Sequence, residues 1–253
     1  MSINTNDNQN SSAEIVKEHN RSHLADYFKE IIYGGIDGVI TTFAVVAGFS
    51  GAALSNETTT QLSFLVVLLF GLANLFADGV SMGLGNFLSV RSDKDLYNAT
   101  RVKEQLEIRN KPENEYLETV IIMKDKGFSV EQAETLANIY RTNEDYWVDF
   151  MMNNEHGMPD VREEKAALSG FTTFSSFLVF GSVPLLPFIF LQDISSSEMF
   201  KYSIIGTFLA LVALGLMKWK IVGTQLWKSL IEVILVGGVA AFIAFYVGSL
   251  FVL

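Results

Sequence analysis

The chain has 253 residues, 28 acidic against 18 basic side chains for a formal net charge of −10, and no cysteine. The missing thiols exclude disulfides, zinc ribbons and thiolate metal ligands. A hydrophobic content of 49% and a mean hydropathy of +0.30 sit beside that charge, which is possible only if polar and apolar residues are segregated along the chain.

In chain order the segregation is plain. Residues 1–30 are polar, with no short apolar core before a small-residue cleavage site, so no cleavable signal peptide is expected and the first apolar run serves as its own insertion signal. The first dozen residues have a disordered composition, and 13–30 reads as a cytosolic amphipathic helix. Residues 31–54 carry one charge, Asp37, and residues 62–90 one, Asp78. Residues 166–191 carry none, and 229–253 one, Glu232. Each run meets the roughly 20 apolar residues needed to cross about 30 Å of hydrocarbon. A shorter run, 202–217, is extended by Lys201 and Lys218 reaching to the interface. Such lengths suit helices and exclude barrel strands. The expected fold is an all-α polytopic membrane protein with five transmembrane helices.

Between runs two and three, residues 91–165 form a polar segment that reads as helical throughout. A helix continues from run two to Asn110, and Lys111-Pro112 breaks it. Another covers 113–126 and ends at Gly127. Ser129-x-x-Gln132 resembles a capping box that opens a third, and a fourth runs from about Asn143 to Glu155 before Gly157 and Pro159. The expected division is thus an arm over 1–30, helices one and two over 31–90, a cytosolic helical domain over 91–165, and helices three to five over 166–253. Seventeen of the 18 Lys and Arg residues fall on one side of the membrane if the N-terminus is cytosolic. Small size and short termini favour a bacterial plasma membrane over a vacuolar one. No nucleic-acid partner is expected.

An ionisable group inside a membrane helix costs about 2.5–3.5 kcal/mol on insertion scales and is a functional candidate by default. Asp37, Asp78 and Glu232 qualify. Asn74, Asp78, Met82 and Asn86 recur every four residues and share one helix face. Gly34, Asp37, Gly38 and Thr41 share a face in helix one, where glycines permit close helix approach. The plainer alternative is that these acids cap or cross-link helices. Pro184 and Pro187 interrupt helix three, marking either a discontinuous transport helix or a structural kink. In the polar segment, Glu104 and Glu107 lie three apart, and Glu115 and Glu118 repeat that spacing beyond Pro112. Two antiparallel helices would gather the four carboxylates. Met151, Met152 and Glu155 add two thioethers and a carboxylate, a donor set suited to divalent transition metals. The alternatives are a solvated acidic face and a methionine pair in a core.

The stretch Tyr33-Gly-Gly-Ile-Asp37-Gly-Val-Ile-Thr-Thr-Phe-Ala-Val-Val-Ala-Gly48 resembles the first-helix signature of the vacuolar iron transporter family. Ala77-Asp78-Gly-Val-Ser-Met82-Gly-Leu-Gly-Asn86-Phe-Leu-Ser-Val-Arg-Ser92 resembles its second-helix signature. Pro184-Leu-Leu-Pro187 and Glu232 also fit the family. The resemblance implies a homodimer that exports Fe²⁺ from the cytosol in exchange for protons, through a path between the first helices, with no permanently bound cofactor. It implies path roles for Asp37 and Met82. It also implies metal-ligand roles for Glu104, Glu107, Glu115, Glu118, Met151, Met152 and Glu155. One departure is Asn86, where many members have glutamate, so a proton-carrying role there passes to Asp78, Glu232 or Asp37.

The expected function is a divalent metal/proton antiporter for Fe²⁺, with Mn²⁺, Co²⁺, Ni²⁺ or Zn²⁺ as further cargo. A gradient-independent channel and a metal sensor or scaffold without transport are the alternatives. A di-iron oxidase would need Glu-x-x-His pairs. The sequence has none, and its three histidines, His19, His23 and His156, read as poorly placed to replace them.

Overall fold

The computed structural model describes residues 27–53, 60–191 and 194–250. The amphipathic helix expected over 13–30 lies outside the described residues, apart from its last few, which open the first helix. The elements are α1 (Phe28–Ala53), α2 (Thr60–Asn110), α3 (Pro112–Asp125), α4 (Val130–Tyr140) and α5 (Glu144–Asn154). They are followed by α6 (Ala166–Ser182), a 3₁₀ turn (Val183–Leu185), α7 (Leu186–Phe190), α8 (Ser196–Val222) and α9 (Leu226–Leu250). No strand occurs among the described residues. Five stretches are long and apolar enough to span a bilayer: Phe28–Ser50, part of Leu65–Asn110, Ala166–Phe190, Ser197–Val222 and Leu226–Val247. The chain is an integral membrane protein.

Helix α2 has 51 residues, and at 1.5 Å per residue it is far longer than a bilayer is thick. Its apolar part gives way at Arg91, Asp93, Lys94 and Asp95, as the sequence led one to expect. Helix α8 has 27 residues, so the fourth span is longer than the expected 202–217 and needs no extension by its lysines. The Ser195 hydroxyl caps its first turn, and Gly223 at φ 71° ends it in the left-handed region.

The chain falls into two compact units, one from Met1–Asn86 with Leu168–Leu253 and one from Phe87–Ala167. In the first unit, α6 is gripped on two sides through glycines. A methyl added at Gly34 would stand 2.6 Å from the Thr173 carbonyl oxygen, and one at Gly38 would overlap the Phe177 carbonyl. On the α2 side, Gly79 and Gly83 meet Phe174 and Phe177 of α6. Without water to drive helices together, this close van der Waals contact is what holds spans against one another. Helices α8 and α9 close on α1 around Val39, Ala210, Leu211, Leu214 and Val233. The proline break is satisfied internally: the Ser203 hydroxyl of α8 donates to the Pro184 carbonyl at 2.7 Å. That bond supplies a partner for backbone freed by the break.

The second unit is built by local signals. Pro112 starts α3, and Gly127 at φ 98° follows its end. Ser129 and Gln132 form the expected reciprocal capping box on α4. Asn143 caps α5 through the Tyr146 amide. The interior holds Tyr97, Ile108, Trp147, Val148, Met151 and Met152.

Candidate functional site

The second unit gathers its carboxylates on three helices. Glu104 of α2 is 1% exposed and Glu115 of α3 is 5% exposed, while Glu118 of α3 and Glu155 at the end of α5 are open to solvent. Ligand atoms of Glu115, Glu118 and Glu155 lie within 4.8 Å of one another, as do those of Glu104, Glu155 and His156. Glu107 is in neither group and pairs with Lys103 at 3.7 Å, but its charge reaches Glu155.

Two features set this cluster off from a solvated acidic face. First, Glu104 Oε1 and Glu115 Oε2 are buried and meet no N–H or hydroxyl donor, and the two side chains hydrogen-bond to each other only while one keeps a proton. A buried oxygen without a donor costs about 1–3 kcal/mol, more when charged. Second, the unit's ion-paired arginines are engaged elsewhere. Arg101 pairs with Asp145 and Asp149, Arg109 with Glu144, Arg141 with Glu113, and Arg162 with Asp149 and Asp160. Among the described residues no Lys or Arg is paired with Glu104, Glu115, Glu118 or Glu155. Burial first, and then the charges of Glu104, Glu118 and Glu155, push the Glu115 carboxyl up to about 8. Burial and Glu104 likewise raise Glu155. The arrangement concentrates carboxyl groups that no Lys or Arg offsets, and it holds on to protons in the way of a site able to take a cation.

Met151 and Met152 are fully buried. The Thr119 hydroxyl reaches the Met151 sulfur at 3.4 Å and the Glu115 carbonyl at 2.8 Å, and accepts from the Trp147 indole N–H at 2.8 Å. The methionines therefore belong to the core, with one sulfur held in place next to the carboxylate-bearing helix.

In the membrane unit, Asp37 is half-buried on α1 and lies within electrostatic reach of Asp78 on α2. Asn74, Asp78, Met82 and Asn86 form one half-buried stripe along α2, flanked by buried Leu75, Gly79 and Gly83. Met82 packs against the core cluster around Phe177. Glu232 of α9 is ion-paired with Lys218 of α8.

Two residues escaped the sequence reading. His156 directs its Nε2 at Glu104 Oε2, 3.0 Å away, although the sequence left it aside. Glu30, assigned to the N-terminal arm, opens α1 as a half-buried carboxylate whose Oε1 accepts from Ser169 at 2.7 Å. Asn86 donates to Ser169 at 3.0 Å and to Thr173 at 2.8 Å, so its amide links α2 to α6 and, through Ser169, to Glu30. The only hint in the sequence was the charge of Glu30 at the edge of an apolar run.

These features define a class, a polytopic α-helical integral membrane protein carrying an acidic helical insertion after its second span. The model of the VIT family matches residues 28–249, and the chain belongs to that family, which is one of transporters and not of enzymes. The chain is 34% identical to the "Vacuolar iron transporter" of Toxoplasma gondii, over 94% of this chain and 79% of that one. It is 31% identical to "Vacuolar iron transporter 2" of Oryza sativa subsp. japonica, over 91% of each chain. It is also 31% identical to "Vacuolar iron transporter 1" of Eucalyptus grandis, over 97% of each.

Proposed function

We propose that this protein exports Fe²⁺ from the cytosol by proton antiport, as a homodimer, with related divalent transition metals as further cargo. The observation that carries the reading is the pair of buried, donor-less oxygens of Glu104 and Glu115 in a cluster that no Lys or Arg neutralises. Buried anions without partners persist only where a cation or a proton completes them. The names of the relatives support iron as the cargo.

In this reading Glu104, Glu115, Glu118 and Glu155 collect the ion from the cytosol, Glu107 adds its charge beside them, and the buried Met151 and Met152 support the site from the core. Asp37 and Met82, doubled by the dimer, hold it within the membrane, with Asn74, Asp78 and Asn86 lining the same face. Protonation of Asp37 or Asp78 from the far side weakens the hold and releases the cation. Glu232, paired with Lys218, has a lesser claim to the proton. The relatives' names favour a vacuolar membrane over the bacterial plasma membrane expected from size. The N-terminus is assigned to the cytosol in either case.

Purified protein in liposomes with an internal Fe²⁺-sensitive dye tests the proposal. Uptake that depends on an acid interior and is lost in Asp37→Ala, with membrane insertion intact, is the expected result. Uptake indifferent to the gradient indicates a channel, and wild type without uptake indicates a sensor or scaffold.

A further inference from the structure

We propose that His156 is a metal ligand of the cytosolic cluster, and that its imidazole biases the site toward Fe²⁺, Co²⁺ and Zn²⁺ over Mn²⁺ and Mg²⁺. This rests on the reading of the Glu104–Glu115 cluster as a metal site and deepens it.

The argument begins at the end of α5. Glu155 closes the helix, and Gly157 at φ 65° turns the chain in a way that disfavours a side chain there. The His156 amide bonds back to the Met151 carbonyl at 3.3 Å, and the Met158 amide to that of Met152 at 2.9 Å. His156 is therefore held by backbone bonds on both sides rather than carried on a free loop. Its side chain, 23% exposed, sits against a Glu104 side chain that is 1% exposed.

The geometry suits an ion. Two donors about 2.1 Å from one metal and at right angles to each other lie about 3.0 Å apart. His156 Nε2 and Glu104 Oε2 are separated by 3.0 Å. Glu155 Oε2 is 4.0 Å from the same nitrogen, close to the roughly 4.2 Å of two donors on opposite sides of such an ion. The other Glu104 oxygen, Oε1, is buried and meets no N–H or hydroxyl donor. Without metal, His156 and the proton kept by Glu115, which hydrogen-bonds to Glu104, are what this buried carboxylate meets. A cation bound between Glu104, Glu155 and His156 takes the place of that proton.

The donor type determines the consequence. An all-carboxylate site suits hard ions, whereas a neutral imidazole suits Fe, Ni, Cu and Zn. Glu104, Glu155 and His156 make a two-carboxylate, one-imidazole set, with Glu155 shared with the Glu115–Glu118 group.

The chain contains three histidines, which makes a clean test possible. Untagged full-length protein carrying His19→Asn and His23→Asn retains a single imidazole. It is loaded in detergent with one equivalent of Cu²⁺ and examined by pulsed electron paramagnetic resonance. Modulation from the remote imidazole nitrogen is expected, and it should vanish when His156→Leu is added. Bound Cu²⁺ without that modulation overturns the imidazole ligand and leaves the carboxylate site standing. Failure of the protein to bind Cu²⁺, Zn²⁺ or Mn²⁺ at all overturns both. In competition with a chelating dye, His156→Leu in the wild-type background should weaken Zn²⁺ about tenfold or more and Mn²⁺ by less than about threefold. Equal weakening of both ions, or none, would show that His156 only positions Glu104.

Discussion

Burial and three neighbouring carboxylates hold Glu115 at about 8, against an ordinary 4.5, so without metal it keeps a proton at neutral pH. The sign of the resulting pH dependence follows. Below 4.5 the folded and unfolded chains both carry the proton. Between 4.5 and about 8 the folded chain retains a proton that the unfolded one has lost, so stability falls as pH rises through that window. The raised Glu155 acts in the same direction. Metal-free protein should therefore melt at a lower temperature at pH 8 than at pH 5.5, and Glu115→Gln should flatten that slope. A divalent ion replaces the proton, so a saturating metal should restore the melting temperature at pH 8. Thermal unfolding of the purified chain at several pH values, with and without Zn²⁺, measures both effects. Thr119 offers a second residue-scale test. Thr119→Val strips the Trp147 indole of its acceptor and should cost about 1–3 kcal/mol. Faster hydrogen exchange confined to α3 and α5 would report it.

Among the elements, α6 is packed backbone to backbone through glycines. Gly38 and Gly34 let its backbone lie directly against α1, and a methyl at Gly38 has nowhere to go except into the Phe177 carbonyl. Gly38→Leu should force α1 from α6 and yield a chain that elutes aggregated or melts far earlier than wild type. Gly85, with no atom within 4 Å of an added methyl, is the control. Gly85→Ala should melt within a few degrees of wild type. If both variants behave alike, the packing account of the glycines fails. The proline break belongs to this scale too. Ser203→Ala removes the hydroxyl that donates to the Pro184 carbonyl. It should lower the melting temperature while leaving the wild-type response to the proton gradient in place, as expected if the break is a structural kink rather than part of the path.

For the molecule as a whole, the spans were legible because length and charge segregation are properties of a linear stretch. Hydrocarbon excludes charge, so runs of 20 or more apolar residues read directly as helices. The helix breaks in the second unit were legible for a similar reason: Pro112, the Ser129–Gln132 box, Asn143 and Gly157 act on backbone within a turn or two. Spacing also placed Glu104, Glu115, Glu118 and Glu155 on helices of one segment. What it could not give was the pairing of charges. The sequence offered eleven basic residues in the same segment as partners. Only the fold assigns Arg101, Arg109, Arg141 and Arg162 to the outer acids and leaves the inner ones uncompensated. Likewise, Glu232 looked like a free intramembrane acid until α8 brought Lys218 to it, and Asn86 looked like a substituted proton carrier until α6 supplied Ser169 and Thr173.

The sequence by itself thus determined the class, the spans, the helical insertion and the set of candidate donors, because each depends on local composition and helical period. Tertiary structure alone decided which of those donors meet. His156 contacts Glu104 across 52 positions of chain and Ser169 contacts Glu30 across 139. Contacts at such separations are set by how helices pack, and helix packing depends on the shape of every side chain between them.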